Sequence, residues 1–301
     1  ALTDAMKSFL VTFQNVVRWG IYPLAMTLAT VLFFQLQTSD GNFLLATVLP
    51  VWACLALIIW AEWFIPFQSE WKPKWQDWKL DGTYVIFIQT ILPQVLTWLS
   101  ALFVLRWWSG LDLPIHEWWP HHWSIGWQEI SVILISDLLR YGLHRLSHTW
   151  TPLWKLHAVH HSVLKMYWLN TARFHPVEKS LQFLMDVLPF MLLGISEEVI
   201  ALHLVLYGVN GFFQHCNADV RFGWLNYIVS STELHRWHHS QHAKESNNNY
   251  GNNVIVWDLL FGTFYWPKDR SVTTLGLQNP TYPQRFWGQM KAPVQQDIDV
   301  T

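Results

Sequence analysis

Charge is what this sequence has least of. Aspartate, glutamate, lysine and arginine make up 13% of its 301 residues, where a soluble domain carries about 25%. The formal net charge is −2, so no basic surplus exists to attract nucleic acid. Cysteine is nearly absent too, with only Cys54 and Cys216. They form no CxxC, Cys54 sits in an apolar run, and no structural disulfide is expected. A metal site in this chain would therefore be built from nitrogen and oxygen, not sulfur. There is no HExxH, and no glutamate lies inside a histidine box to act as the base of a metallohydrolase.

What the sequence has instead is apolar and aromatic. Hydrophobic residues reach 51%, aromatics 16%, and tryptophan occurs 22 times. That pattern suits a membrane protein with indoles at the water–lipid boundary. Four runs are long enough to cross a bilayer, for which about 20 apolar residues are needed: Trp19–Leu36, Phe43–Ile65, Gly82–Leu105 and Ile125–Leu143. The fourth holds Asp137 and Arg140 and is amphipathic. A fifth region, Leu181–His215, is interrupted by Pro189, Gly194, Ser196, Glu197 and Glu198. It reads as two short helices in a hairpin that enters the membrane only in part. The first run begins after Arg18 and is long enough to span, so the start of the chain does not read as a cleavable signal.

Lysine and arginine set the expected orientation. They are absent from Gln37–Asn42 and Trp107–Ser124 but present in Pro66–Asp81 as Lys72, Lys74 and Lys79. Lys7 and Arg18 precede the first run. The N-terminus and the Pro66–Asp81 loop are thus expected on the cytoplasmic face. Trp71, Trp75 and Trp78 alternate with those lysines and read as an interfacial segment. Trp107, Trp108, Trp118, Trp119 and Trp123 would form the opposite belt. The expected architecture is an all-α integral membrane bundle, with about four spans plus a partly inserted hairpin and a cytoplasmic helical cap. The regions are 1–124 (spans and interfacial segment), 125–267 (the histidine-rich part) and 268–301 (a polar tail, expected to loosen from about Lys291). No repeat or linker separates them, so they form one structural domain.

The chemistry lies in histidine. Eight of the fifteen fall into spaced clusters: His144 and His148 as HxxxH; His157, His160 and His161 as HxxHH; His235, His238 and His239 as HxxHH. Imidazole is the commonest transition-metal ligand, and residues three or four apart share a helical face. Each cluster is expected to aim two or three nitrogens at one point. Two six-coordinate ions need about twelve donor positions, so eight or nine imidazoles leave openings for reactants. His215, in "FFQHCN", is the ninth candidate. A sulfur-free, nitrogen-rich site of this size suits iron, with zinc or copper as lesser occupants. His116, His121 and His122 belong to the opposite face and are rejected as ligands. His203 reads as a hydrogen-bonded packing residue and His242 as surface. Second-shell candidates are Asp137, which shares a helical face with His144 and His148, and more weakly Asp258. An ion pair with Arg140 is the competing role for Asp137.

The stretches "DLLRYGLHRLSHTWTPLWKLHAVHHS", "NTARFHPVE", "HRWHH" and "NNYGNNVIVWDLLFGTFYWP" closely resemble the fatty acid hydroxylase / sterol desaturase superfamily of membrane di-iron enzymes. The likeness covers about Ile125–Pro267. It implies that His144, His148, His157, His160, His161, His235, His238 and His239 ligate two irons, with His215 joining them and zinc as an adventitious replacement. It also marks His175 as a second-shell or pocket residue. Some members carry a further histidine four residues after the equivalent of His215. This chain has Asp219 there and Asn217 nearer, and either could complete the site.

What the resemblance implies is an oxygen-dependent oxidoreductase that hydroxylates an unactivated C–H bond of a lipid, or desaturates it on the same ligands. The partners would be the lipid, O2 and membrane lipids. The chain shows no GxGxxG, no iron–sulfur cysteine set and no recognisable haem domain. A separate ferredoxin, cytochrome or reductase is therefore expected, with Lys72–Lys79 as a docking surface or a headgroup contact. A metal-binding or transport protein is the more distant alternative. Its histidines would line a path through the bilayer, whereas the expected topology gathers them on one face.

Overall fold

The computed structural model describes residues 3–37, 43–104, 106 and 118–295. Among them there are helices and three isolated antiparallel pairings but no β-strands. The chain opens with α1 (Asp4–Leu36) and α2 (Leu44–Phe64). Next comes a continuous helix made of α3 (Trp75–Tyr84), a π-helical turn over Val85–Ile91 and α4 (Leu92–Phe103). The cap holds α5 (Ile125–Thr149), α6 (Thr151–His161), α7 (Pro176–Asp186), α8 (Leu188–Leu192) and α9 (Glu197–His215). It finishes with α10 (Thr232–His238), α11 (Ala243–Ser246), α12 (Val256–Phe261) and α13 (Phe286–Gln295).

Among the described residues three helices are long and apolar enough to cross a membrane: α1, α2 and the Trp75–Phe103 helix. The fourth expected span lies in α5, which is not among them. Glu129, Asp137 and Arg140 interrupt its apolar face, and all three are buried against protein. The hairpin reading of Leu181–His215 also changes. The chain breaks at Val187 and turns at Gly194 with φ +66°, but then runs as the single 19-residue α9. That helix packs on both α1 and α2. The contact is close because it is made of small residues: Ala25, Ala29, Ala46, Cys54 and Ala61 are all fully buried beside Val205 and Val209. Tyr22 donates to Asn210 across this seam at 3.0 Å. Outside it, Trp52, Trp63, Trp98, Leu99 and Leu102 stay exposed, an apolar belt too broad for a water-facing surface. No residue of α4 is buried.

The foot of the third long helix is tied to the cap. Fully buried Asp81 receives Arg173 Nε at 2.8 Å and the Tyr167 hydroxyl. Lys165 reaches Asp77 at 2.7 Å. Of the expected interfacial tryptophans only Trp75 faces outward, under Lys79. Trp71 is buried with Val163, Met166 and Trp237, and Trp78 packs edge-on against Tyr167 and Trp168. On the other side Trp118 and Trp123 are exposed and Trp119 is buried on Phe190. Trp107, Trp108 and His116 lie outside the described residues. In the C-terminal region Lys291 sits in α13, and Gln289 is fully buried, accepting from Tyr84 and donating to Ser162.

Candidate metal centre

All nine candidate histidines meet in the cap, in two groups. The first is His144, His148, His157, His161 and His238; the second is His160, His215, His235 and His239. Each group places its ligand atoms within 4.8 Å of one another. Each box aims two nitrogens at one point, and each HxxHH sends its third to the other group. His157 and His161 share a face of α6 and enter the first group, while His160, about 100° away round the helix, enters the second. His235 and His239 enter the second group and His238 the first. Each HxxHH therefore splits two to one, and the two groups interleave.

The facing nitrogens are Nε2 atoms. His157 lies 3.0 Å from His144 and 3.1 Å from His161, which is 3.1 Å from His238. In the second group His235 lies 3.0 Å from His215, and His239 lies 3.1 Å from both His160 and His235. A single ring proton on His161 can serve only one of its two nitrogen neighbours. Six such contacts call for a shared cation rather than a hydrogen-bond network. The spacing also selects a geometry. An octahedral ion with bonds of about 2.1–2.2 Å sets adjacent donors about 3.0 Å apart, whereas a tetrahedral zinc at about 2.0–2.1 Å sets them about 3.3–3.4 Å apart. Buried His148 Nε2 has no partner at all, as a donor atom awaiting an ion would. The residues fit six-coordinate metal.

The outward nitrogens explain why the lone pairs point inward. His157 Nδ1 donates to Glu178 at 2.6 Å, His148 to Asn247 at 2.9 Å and His215 to Asn170 at 2.9 Å. His144, His238 and His160 donate to the carbonyls of Tyr250, Asn248 and Arg173 at 2.8, 2.8 and 3.3 Å. An oxygen at Nδ1 fixes the proton there and leaves Nε2 free for a metal. Burial, and then the neighbouring imidazoles, favour the neutral form of eight of the rings. His215 and His238 are pushed down to about 3, and His144, His148, His160, His161, His235 and His239 fall well below the usual imidazole range.

One loop carries much of this. Asn247, Asn248 and Tyr250 supply acceptors to three histidines of the first group. Between them Asn249 takes the left-handed conformation, φ 57°, and its amide bonds the Leu234 and Tyr265 carbonyls. Asp258 receives the Tyr250 and Gly251 amides at 2.8 Å each. A Cβ on Gly251 would stand 2.4 Å from the Val254 carbonyl oxygen, so only glycine fits the turn.

The second-shell expectations divide. Asp258 acts one bond removed, through Tyr250. Asp137 touches none of the histidines; its carboxylate receives the Asn253 amide, the Asn253 side chain and the Val254 amide. Its competing partner Arg140 pairs with Asp186 instead, at 2.8 Å. His175 caps α7, accepting from Val177 at 3.3 Å, and so positions Glu178 rather than a metal. Neither proposed tenth ligand reaches the cluster: Asn217 is bonded to the Gln68 backbone, and Asp219 to Arg18 and Arg221. His203 is buried on Glu129 at 3.0 Å, and His121, His122 and His242 are exposed. Glu178, Asn170 and Asn247 went unread in the sequence. Glu178 had a signal, since it stands three residues after a His-Pro helix start.

Beside the cluster is a cavity of about 80 Å³. His144, His157, His160, His215 and His235 form its floor. Gly208, Gly211 and Phe212 of α9 form a wall, and Gln89 of the π-helical turn stands at its rim.

Residues 130–263 match the fatty acid hydroxylase family model. An ornithine lipid hydroxylase of Rhizobium tropici is 38% identical over 175 residues, 58% of this chain and 53% of the relative. The alkylglycerol monooxygenase of Homo sapiens is 30% identical over 158 residues, 52% of this chain and 35% of the relative. A Delta(7)-sterol 5(6)-desaturase of Candida albicans is 30% identical over 169 residues, 56% of this chain and 42% of the relative. The chain thus spans about half the length, or less, of the curated relatives it matches. No solved structure gives a significant match. All three histidine boxes lie inside the matched region, so it is the metal-binding part of this chain that resembles the fatty acid hydroxylase / sterol desaturase superfamily.

Proposed function

We propose that this chain is a membrane-bound di-iron oxygenase that hydroxylates an unactivated C–H bond of a lipid. The balance is one C–H and one O2, with two electrons and two protons, giving one alcohol and one water. The carrying observation is the two imidazole groups, each with its donor atoms within 4.8 Å of one another, beside a cavity whose lining reaches a membrane-length helix. His144, His148, His157, His161 and His238 would hold one ion, and His160, His215, His235 and His239 the other. When bound, the irons would supply the reduction of O2 and the removal of hydrogen from carbon.

The chain's own residues do the rest. Glu178, Asn170, Asn247 and the 248–250 backbone fix ring tautomers and directions. The α9 glycines leave width for an acyl chain. Burial excludes water from the histidine floor, which protects a reactive oxidant from side reactions. Lysines and arginines near Pro66–Asp81 support a cytoplasmic metal face with two or more spans anchoring it. Electrons would come from a separate donor, for which exposed Lys72, Lys74 and Lys79 offer a cationic surface. Zinc is a poorer occupant because the nitrogen spacing is short for a tetrahedral ion.

Desaturation is the second reading, favoured by the sterol desaturase relative; both outcomes use one set of ligands and differ in substrate placement. Lipid mass spectrometry of a host with and without the protein tests both. A gain of one oxygen on a lipid class is expected. A loss of two hydrogens would replace hydroxylation by desaturation, and no change in any lipid class would remove the enzyme reading.

A further inference from the structure

Lys179 is buried, only 7% exposed, and lines the cavity. Its ammonium has no hydrogen-bond or ion-pair partner among the described residues and stands 5.7 Å from the centre of the Phe174 ring. The carboxylates of the same helix face other groups. Glu178 turns to His157 and Gln182, and Asp186 turns to Arg140. The ammonium opens onto the cavity, where no counter-charge meets it, and cation–π attraction to one phenyl ring is a weak substitute for one.

We propose that the cavity takes a lipid with an anionic head, a carboxylate or a phosphate, and that Lys179 receives that head. The inference rests on the lipid-oxygenase reading and deepens it by naming the substrate class. Lys179 stands one ring from the metal floor, since Phe174 stacks on His160 with centroids 4.3 Å apart and planes at 10°. A head seated there leaves the first carbons of the chain over the histidines. The α7 N-terminus makes the placement rigid: the His175 cap and Pro176 start the helix, so Glu178 and Lys179 are delivered together, one to the ligand and one to the substrate. Arg140, the other cation of the lining, already has its charge offset by Asp186. A lipid-borne anion is favoured over a free one because Gln89, on the third long helix, lines the same cavity as Lys179.

The test uses the iron-loaded protein in detergent with two fluorescent probes, cis-parinaric acid and its methyl ester. The wild type should bind the acid at least about ten-fold tighter than the ester, as a buried charge pair would give. Lys179→Met should bring acid binding to the ester level, leave ester binding and iron content unchanged, and Lys179→Arg should restore the preference. Millimolar inorganic phosphate should not displace the acid. Equal binding of acid and ester by the wild type overturns the proposal, and that comparison needs no variant to fold. So does retained preference in Lys179→Met, or displacement by phosphate, which would mark a general anion site. Equal oxygen insertion into acid and ester would sink the Lys179 assignment while leaving the oxygenase reading intact; no insertion into any lipid would sink the oxygenase reading itself.

Discussion

Glu178 Oε1 lies 2.6 Å from Nδ1 of His157, with both side chains buried. His157 Nε2 in turn faces both His144 and His161. One carboxylate thus orients a ring shared by two neighbours of the first group. Glu178→Gln keeps the shape and removes the charge. Loss of such an outer partner costs about 10–100-fold in metal affinity. Iron retained after a timed chelator challenge should fall by that factor, while the circular dichroism stays native. Unchanged retention would show that His157 needs no carboxylate.

The partition of the boxes predicts a difference between sequence neighbours. His161→Ala should weaken the first ion and His160→Ala the second. Mössbauer spectra of iron-57 samples should lose different components in the two variants. His121→Ala and His122→Ala should leave both components in place. Loss of the same component in both box variants would refute the interleaved arrangement.

Acid should undo the metal-free protein in a defined window. Eight of the nine clustered histidines, His144, His148, His160, His161, His215, His235, His238 and His239, have folded pKa values below the usual 6.5, reaching about 3 at His215 and His238. Between about pH 3 and pH 6.5 the unfolded chain then binds more protons than the folded one, so stability falls as pH falls through that window. Chelator-treated protein should show a steady loss of Tm from pH 7 to pH 5. Metal should leave over the same range, because a protonated imidazole cannot ligate. A Tm that rises on acidification would contradict neutral buried rings.

Asp137 anchors backbone, not metal. Asp137→Ala deletes a buried acceptor of three hydrogen bonds, and bonds to a charged group contribute about 1.5–3 kcal/mol each. A stability loss of at least about 3 kcal/mol is expected in denaturant unfolding. Iron stoichiometry of the fraction that folds should stay at two. A native Tm with halved iron would instead restore Asp137 to the metal site.

Two glycines make a matched pair. A Cβ at Gly251 meets the Val254 carbonyl oxygen at 2.4 Å, whereas one at Gly142 on α5 meets nothing within 4 Å. Gly251→Ala should lower Tm and loosen the Tyr250 carbonyl from His144. Gly142→Ala should be neutral or add about 0.5–1 kcal/mol, the helical preference of alanine over glycine. Thermal unfolding of both variants in one detergent checks the pair.

Sequence alone determined the helical membrane character and the set of nine histidines. Both are local signals: apolar runs reveal themselves by length, and HxxHH by spacing. It did not reveal that α5 turns its charges into the protein, because burial of Glu129, Asp137 and Arg140 depends on what packs there. Nor could it divide the boxes. The sharing of a face by His157 and His161 is a property of one helix, but which ion His160 meets depends on where α9 and α10 bring His215, His235 and His239. Glu178, Asn170 and Asn247 are ordinary polar residues in one dimension. Only the fold sets each of them against an imidazole, where a single fixed proton decides which nitrogen is left to bind.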